Sequence, residues 1–131
     1  MSAFEKYKFS REKIKTESRD SVEKEPILKG TPASGGVARG VVKIVKDIQD
    51  TPSFKEGSVL VTRITDPSMV MMMARSVAIV TDIGGLTSHP AIVSREMGIP
   101  CIVNSKDGTK ILKNGQDVVV DGTEGKVYSA D

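Results

Sequence analysis

The chain contains a single histidine, His89, and its neighbours are residue types that handle phosphate. Before it stand Thr81, Gly84, Gly85, Thr87 and Ser88, and Pro90 follows it. The apolar, β-branched run 77–80 reads as a strand. Gly84-Gly85 supplies a turn where the backbone can take positive φ or come close to a ligand. Residues 90–97 read as a helix, because proline suits a first turn, where its missing N–H would have lacked a partner. Proline also pushes the residue before it towards extended geometry, so His89 is expected at or beside the N-cap. Gly98 is a natural stop and Pro100 keeps the helix from resuming. Ala91, Ile92, Val93 and Met97 are expected to face inward, with Arg95 and Glu96 facing water.

A histidine where a glycine loop meets a helix start lies among free N–H groups and at the positive end of the helix dipole, a combination that attracts anions. Neutral imidazole is a nucleophile able to attack phosphorus. Once phosphorylated, its dianion would sit among donors that suit it. Taken alone, a lone histidine is more often a structural or surface residue; the glycine pair, the flanking hydroxyls and the helix start are what argue otherwise here.

The stretch 81–100, Thr-Asp-x-Gly-Gly-x-Thr-Ser-His-x-Ala-Ile-Val-x-Arg-Glu-x-Gly-Ile-Pro, resembles the phosphohistidine motif of the PEP-utilising enzymes, among them PEP synthase, pyruvate phosphate dikinase, enzyme I of the sugar phosphotransferase system and phenylphosphate synthase. The segment Gly-x-Pro-Ala-Ser-x-Gly-x-Ala-x-Gly at 30–40 resembles the opening of the same domain. The resemblance thus covers residues 29–128. It implies an α/β swivelling β/β/α domain, with mixed sheets and helices packed on one side, that carries a phosphoryl group between two distant active sites. His89 falls on the carrier position. Thr81, Thr87 and Ser88, with the loop glycines Gly84 and Gly85, become the candidates for binding phosphate or orienting the ring, though the hydroxyls could equally act as helix caps. Thr65, in a Thr-Asp-Pro turn at 65–67, is a further candidate; the alternative is that Thr65 or Asp66 simply caps the next helix. The resemblance points to Nε2 as the phosphorylated atom. One departure is Pro90, where the family has alanine or another small residue, and it bears on how partners approach.

Length and composition set the rest. At 131 residues there is room for one domain; hydrophobic residues make up 38%, and 19 basic residues nearly balance 17 acidic ones, for a net charge of +2. With aromatics at 4% and no basic stripe interleaved with stacking residues, nothing calls for nucleic acid. No apolar run approaches membrane-spanning length and no signal peptide opens the chain. One cysteine, Cys101, excludes an internal disulfide and fits a reducing cytoplasm; its apolar neighbours argue for a buried thiol. One histidine and one cysteine give no transition-metal ligand set.

Along the chain, 1–25 is a charged lead-in, read as a solvated tail or a docking segment, and 26–131 is the domain. Short strands are expected at 27–30 and 37–45, with a turn at 31–36 and Gly40 as a bulge or point of close approach. A polar connection (47–57), a buried strand (58–62), a short helix (67–75) rich in methionine, a turn (104–108), a short helix or extended piece (109–112) and a closing hairpin (116–129) complete the reading. The four methionines cannot all face inward. No separate nucleotide loop and no acidic metal cluster appear, and the length leaves no space for an ATP-grasp domain or a PEP/pyruvate barrel. The expectation is a stand-alone phosphotransferase component. It takes a phosphoryl group from ATP or PEP, held with Mg2+ by an ATP-grasp or PEP/pyruvate-binding partner, and completes no reaction alone. A non-catalytic regulatory or interaction module is the alternative, and a domain excised from a longer enzyme a further one.

Overall fold

The computed structural model describes residues 25–130; the reading of 1–24 as a tail or docking segment lies outside the described residues. Eight strands form one mixed sheet in the order β1-β8-β7-β3-β4-β5-β6-β2. They are β1 (Leu28–Lys29), β2 (Thr31–Ser34), β3 (Val37–Val45), β4 (Val59–Thr62), β5 (Ala78–Thr81), β6 (Cys101–Val103), β7 (Asp117–Asp121) and β8 (Lys126–Ser129). The two end strands, β1 and β2, are separated in the chain only by Gly30, so the sheet curls until its ends meet.

The middle of the sheet is parallel: β3 with β4, β4 with β5, and β5 with β6. The flanks are antiparallel, with the expected hairpin of β7 and β8. β3 serves both halves. Its residues 37–41 pair with β7 and its residues 42–45 with β4. At the changeover a side chain on Gly40 would collide with the Gly57 carbonyl and Val77, so Gly40 is the close-approach point expected of it.

The central strands are buried on both faces, which is why they read as continuous apolar runs and not as alternating ones. Val59, Val61, Ala78, Val80 and Ile102 face one cluster with Val118, Val120 and Val127. Leu60, Ile79, Cys101 and Val103 face the other. This second cluster is covered by α1 (Val70–Ala74), entered through a 3-10 turn at Pro67–Met69, and by α2 (His89–Met97). Met69, Met72 and Met73 are buried there, whereas Met71 is 73% exposed, in keeping with the expectation that the four methionines cannot all face inward. The fold is therefore α/β with mixed strands and its two longer helices on one side. The four-residue α3 (Gly108–Ile111) lies on the opposite face, leading into the buried Leu112.

Three local readings need correction. Residues 31–34 are a strand, not part of a turn, because their partner β6 gives them an edge to pair with; the chain turns only at Gly35-Gly36. The 47–57 connection contains a 3-10 helix, Ile48–Ser53, and buries Phe54 completely enough to make it a core residue. Ile92 points outward, and Ser94 takes the inward place on α2 instead. A helix lying on a sheet exposes the residue one position off its apolar stripe whatever that residue's hydropathy.

Candidate functional site

The candidate site forms at the carboxyl ends of the parallel strands, where chain leaving β4 and β5 makes two loops side by side. After β5, Asp82 N–H donates to the Thr62 carbonyl and Ile83 N–H to Arg63, so the two loops leave the sheet tied together. Gly84 then takes φ +117, a left-handed conformation that glycine adopts without strain. A side chain there would meet Ser88 Oγ and Ile64, whereas Gly85 has open space where a side chain would be. Ser88 closes the loop: its N–H and its hydroxyl both donate to the Gly85 carbonyl, at 3.1 and 2.6 Å.

Ser88 is the N-cap of α2, His89 its first residue and Pro90 its second. Because the Ser88 hydroxyl is spent on the loop, it makes no cap bond to the helix. Ile92 N–H supplies the first helical bond, to Ser88. Among the described residues, the N–H groups of Gly84, Gly85, Leu86, Thr87, His89 and Ala91 have no protein acceptor. Donors left open at a helix start are what an anion needs. Gly98 ends the helix in the left-handed region at φ 71.

The β4 loop supplies the contact to the ring. Thr65 is buried, and its Oγ1 lies 2.7 Å from His89 Nδ1. Asp66 takes the other role open at this turn: its carboxylate accepts from Ser68 N–H and caps the 3-10 turn that leads into α1. The hydroxyl and amide of Ser68, with the nearby His89 ring, hold the Asp66 carboxyl below the usual carboxylate range. Of the two residues that could have capped the next helix, Asp66 does so, and Thr65 contacts the ring.

Thr81 stands apart from the other candidates. It is fully buried at the end of β5, and its hydroxyl donates to the Ile83 carbonyl at 2.8 Å. It shapes the departing loop and offers the ring no proton. Thr87 is exposed on the loop, and Ser88 is half-buried. Cys101 lies beneath the site and is buried, with its thiol 3.9 Å from the Pro90 carbonyl. Burial pushes that thiol up to about 11, so it stays protonated and inert at neutral pH.

Two residues of the motif carry structure that their types did not announce. Asp82 turns its carboxylate onto Thr109, accepting from the N–H at 2.9 Å and from the hydroxyl at 2.5 Å; this ties the start of the glycine loop to α3. Arg95 is exposed as expected, yet its side chain folds back along α2. It donates to the Leu86 carbonyl at 2.6 Å and the Ala33 carbonyl at 3.1 Å. The signal in each case was a charged residue close in sequence to the histidine.

Comparison with known proteins shows the family. The family described as "PEP-utilising enzyme, mobile domain" matches residues 54–125. The phosphoenolpyruvate synthase of Pyrococcus furiosus is 54% identical over 112 residues, which is 86% of this chain and 14% of that protein. The chain belongs to the mobile-domain family of the PEP-utilising enzymes. A probable phosphoenolpyruvate synthase of Archaeoglobus fulgidus is 48% identical over 88% of the chain and 16% of its own length. Against these curated relatives the mobile domain spans about one-seventh of their length. A solution structure of an enzyme I protein matches with a TM-score of 0.51 and 38% identity, over 57% of this chain and 31% of that one. The aconitase X structure from Thermococcus kodakaraensis shares the fold alone, with a TM-score of 0.59 and 19% identity over 79% of this chain and 98% of that one.

Among the described residues no helix is long and apolar enough to cross a membrane. None of their His, Cys, Asp and Glu side chains cluster in threes that could hold a metal.

Proposed function

We propose that the chain is a phosphocarrier, which accepts a phosphoryl group on His89 from ATP or PEP held by a partner and hands it to an acceptor held elsewhere. The observation that carries this reading is the 2.7 Å bond between Thr65 Oγ1 and His89 Nδ1. With the proton on Nδ1 and donated to Thr65, Nε2 keeps its lone pair and is the nucleophile. The Nε2–P bond forms as the P–O bond to the donor's leaving group breaks, and the Nδ1 proton stays where it is. Thr65 is therefore a positioning residue, and the open N–H groups of the loop and helix start are suited to hold the phosphoryl oxygens.

The chain's own share ends with the nucleophile and the cradle. Magnesium is assigned to the nucleotide or PEP, on an ATP-grasp or PEP/pyruvate-binding partner. Catalysis on each side is then in-line positioning and charge stabilisation by the partner. The reading is of a phosphotransferase component, and a complete reaction requires the partner.

The test is intact-mass analysis at neutral or basic pH after incubation with magnesium and either ATP or PEP in extract of the host, beside His89→Ala. An acid-labile gain of one phosphoryl group on the unmodified chain only is the expected result, and the donor that works names the donor class. No gain with either donor, from extract shown to phosphorylate another carrier, overturns the reading in favour of a regulatory module.

A further inference from the structure

The glycine loop carries four of the open N–H groups, yet its own bonds hold only its ends. Ile83 is tied to Arg63, and Ser88 bonds back to Gly85. Leu86 and Thr87, at the tip, have no backbone partner among the described residues. The tip is held instead by a side chain from the far end of α2: Arg95 donates to the Leu86 carbonyl at 2.6 Å and to the Ala33 carbonyl at 3.1 Å. Ala33 lies in β2, which is hydrogen-bonded to β6 and is buried at this point. The guanidinium therefore bridges a buried strand to the tip of the 85–88 turn, one amino group to each carbonyl, in a geometry that its planar fork of donors pre-organises better than an ammonium.

From this we infer that Arg95 is a positioning residue which sets the direction of the Thr87 N–H. A trans peptide is planar, so its carbonyl and the following N–H point opposite ways. Fixing the Leu86 carbonyl on Arg95 therefore aims the Thr87 N–H away from the guanidinium. Without Arg95 that peptide can rotate, and one donor of the cradle is no longer pre-organised. Pre-organised donors stabilise developing charge without reorganising as the reaction proceeds. The holding of the loop stands on geometry alone; its consequence for phosphorylation rests on the carrier reading above.

Two measurements separate these parts. The first is NMR of the 15N-labelled protein, following the order and exchange of the Leu86, Thr87 and Ser88 amides in Arg95→Lys, Arg95→Gln and Arg95→Ala. Increased motion is expected at these amides only, with β4 and β5 unchanged, and methylguanidinium should restore order to Arg95→Ala. Unchanged loop order in all three variants overturns the inference. Motion spreading into β4 and β5 also overturns it, because Arg95 would then be supporting the fold at large.

The second uses phosphoramidate as a partner-free donor. Its P–N bond breaks, ammonia leaves and the His89 N–P bond forms. Arg95→Gln should be phosphorylated roughly tenfold more slowly than the unmodified chain, with the ring 15N signals of His89 unmoved. An equal rate despite a mobile loop overturns the link from Arg95 to the cradle. No phosphorylation of the unmodified chain at His89 counts against the carrier reading instead, while the amide measurements still decide whether Arg95 holds the loop.

Discussion

A neutral imidazole has one proton to place on two nitrogens, and a Thr65 hydroxyl that accepts from Nδ1 goes with the His89 form whose Nε2 is free. With Thr65 Oγ1 at 2.7 Å from Nδ1, a ring that donates there has Nε2 free to attack. Thr65→Val keeps the shape of the side chain and removes the acceptor. It should slow phosphorylation of His89 roughly 10- to 100-fold, the weight of one hydrogen bond to a group that gains charge. Circular dichroism should be unchanged, and the 15N shifts of the ring should show a changed tautomer. Thr65→Ser should retain most of the rate.

Cys101 makes the opposite case, a reactive atom type kept out of use. Its ordinary value of 9.0 is pushed up to about 11, first by burial. The folded protein thus holds the proton more tightly than the unfolded chain. The stabilisation is complete below pH 9 and is lost as pH rises from 9 towards 11, by on the order of 2–3 kcal/mol at most. Iodoacetamide should therefore leave native Cys101 unmodified at pH 8 and label it readily in denaturant. A Cys101→Ser variant should show a flatter fall in melting temperature over pH 9–11.

At the scale of elements, the glycine loop and α2 form one unit built on backbone conformation. Gly84 and Gly85 look alike in sequence but differ in place. Gly84 combines φ +117 with neighbours that would meet a side chain, and Gly85 has neither constraint. Gly84→Ala should cost about 1–3 kcal/mol in thermal or urea unfolding, whereas Gly85→Ala should be nearly neutral. A similar loss for both would mean that the loop lacks this geometry.

This contrast also marks how far the sequence could be read. The helix start at Ser88-His89-Pro90, the stop at Gly98 and the central strands were all legible, because local rules for proline, glycine and β-branched runs govern them. The bonds of Arg95 to Ala33 and of Asp82 to Thr109 were not, since they join residues 62 and 27 positions apart. The strand at 31–34 was missed for the same reason: its partner β6 lies some 70 residues further on, and a proline beside small residues reads locally as a turn. The outward place of Ile92 depends on the angle at which α2 lies on the sheet, which no local pattern fixes.

For the whole molecule, the question is how the fold presents its histidine on a firm base. Closure of the sheet answers it. The ends meet around Gly30, and the chain passes so closely there that no side chain fits. A Cβ on Gly122 would lie 2.1 Å from the Ser34 carbonyl, and one on Gly125 2.4 Å from the Gly30 carbonyl. The parallel strands are thereby held in register, and their carboxyl ends bring the Thr65 turn against the start of α2. Exposed apolar side chains lie in the loop and the first turn of α2, at Ile83, Leu86 and Ile92, and also elsewhere, at Val41 on β3, Met71 on α1 and Ile111 on α3. Gly122→Ala forces main chain against main chain, where no rotamer change gives relief. It should lower stability by upwards of about 2 kcal/mol, and because β7 would be displaced from β2 and β6, amide exchange should quicken on all three strands. If the closed sheet is what steadies the site, this distant change should also weaken the Thr65–His89 bond, visible as a shift of the His89 ring nitrogens. Faster exchange in β2, β6 and β7 with the ring signals unmoved would mean that the β4 and β5 loops hold the histidine independently of closure.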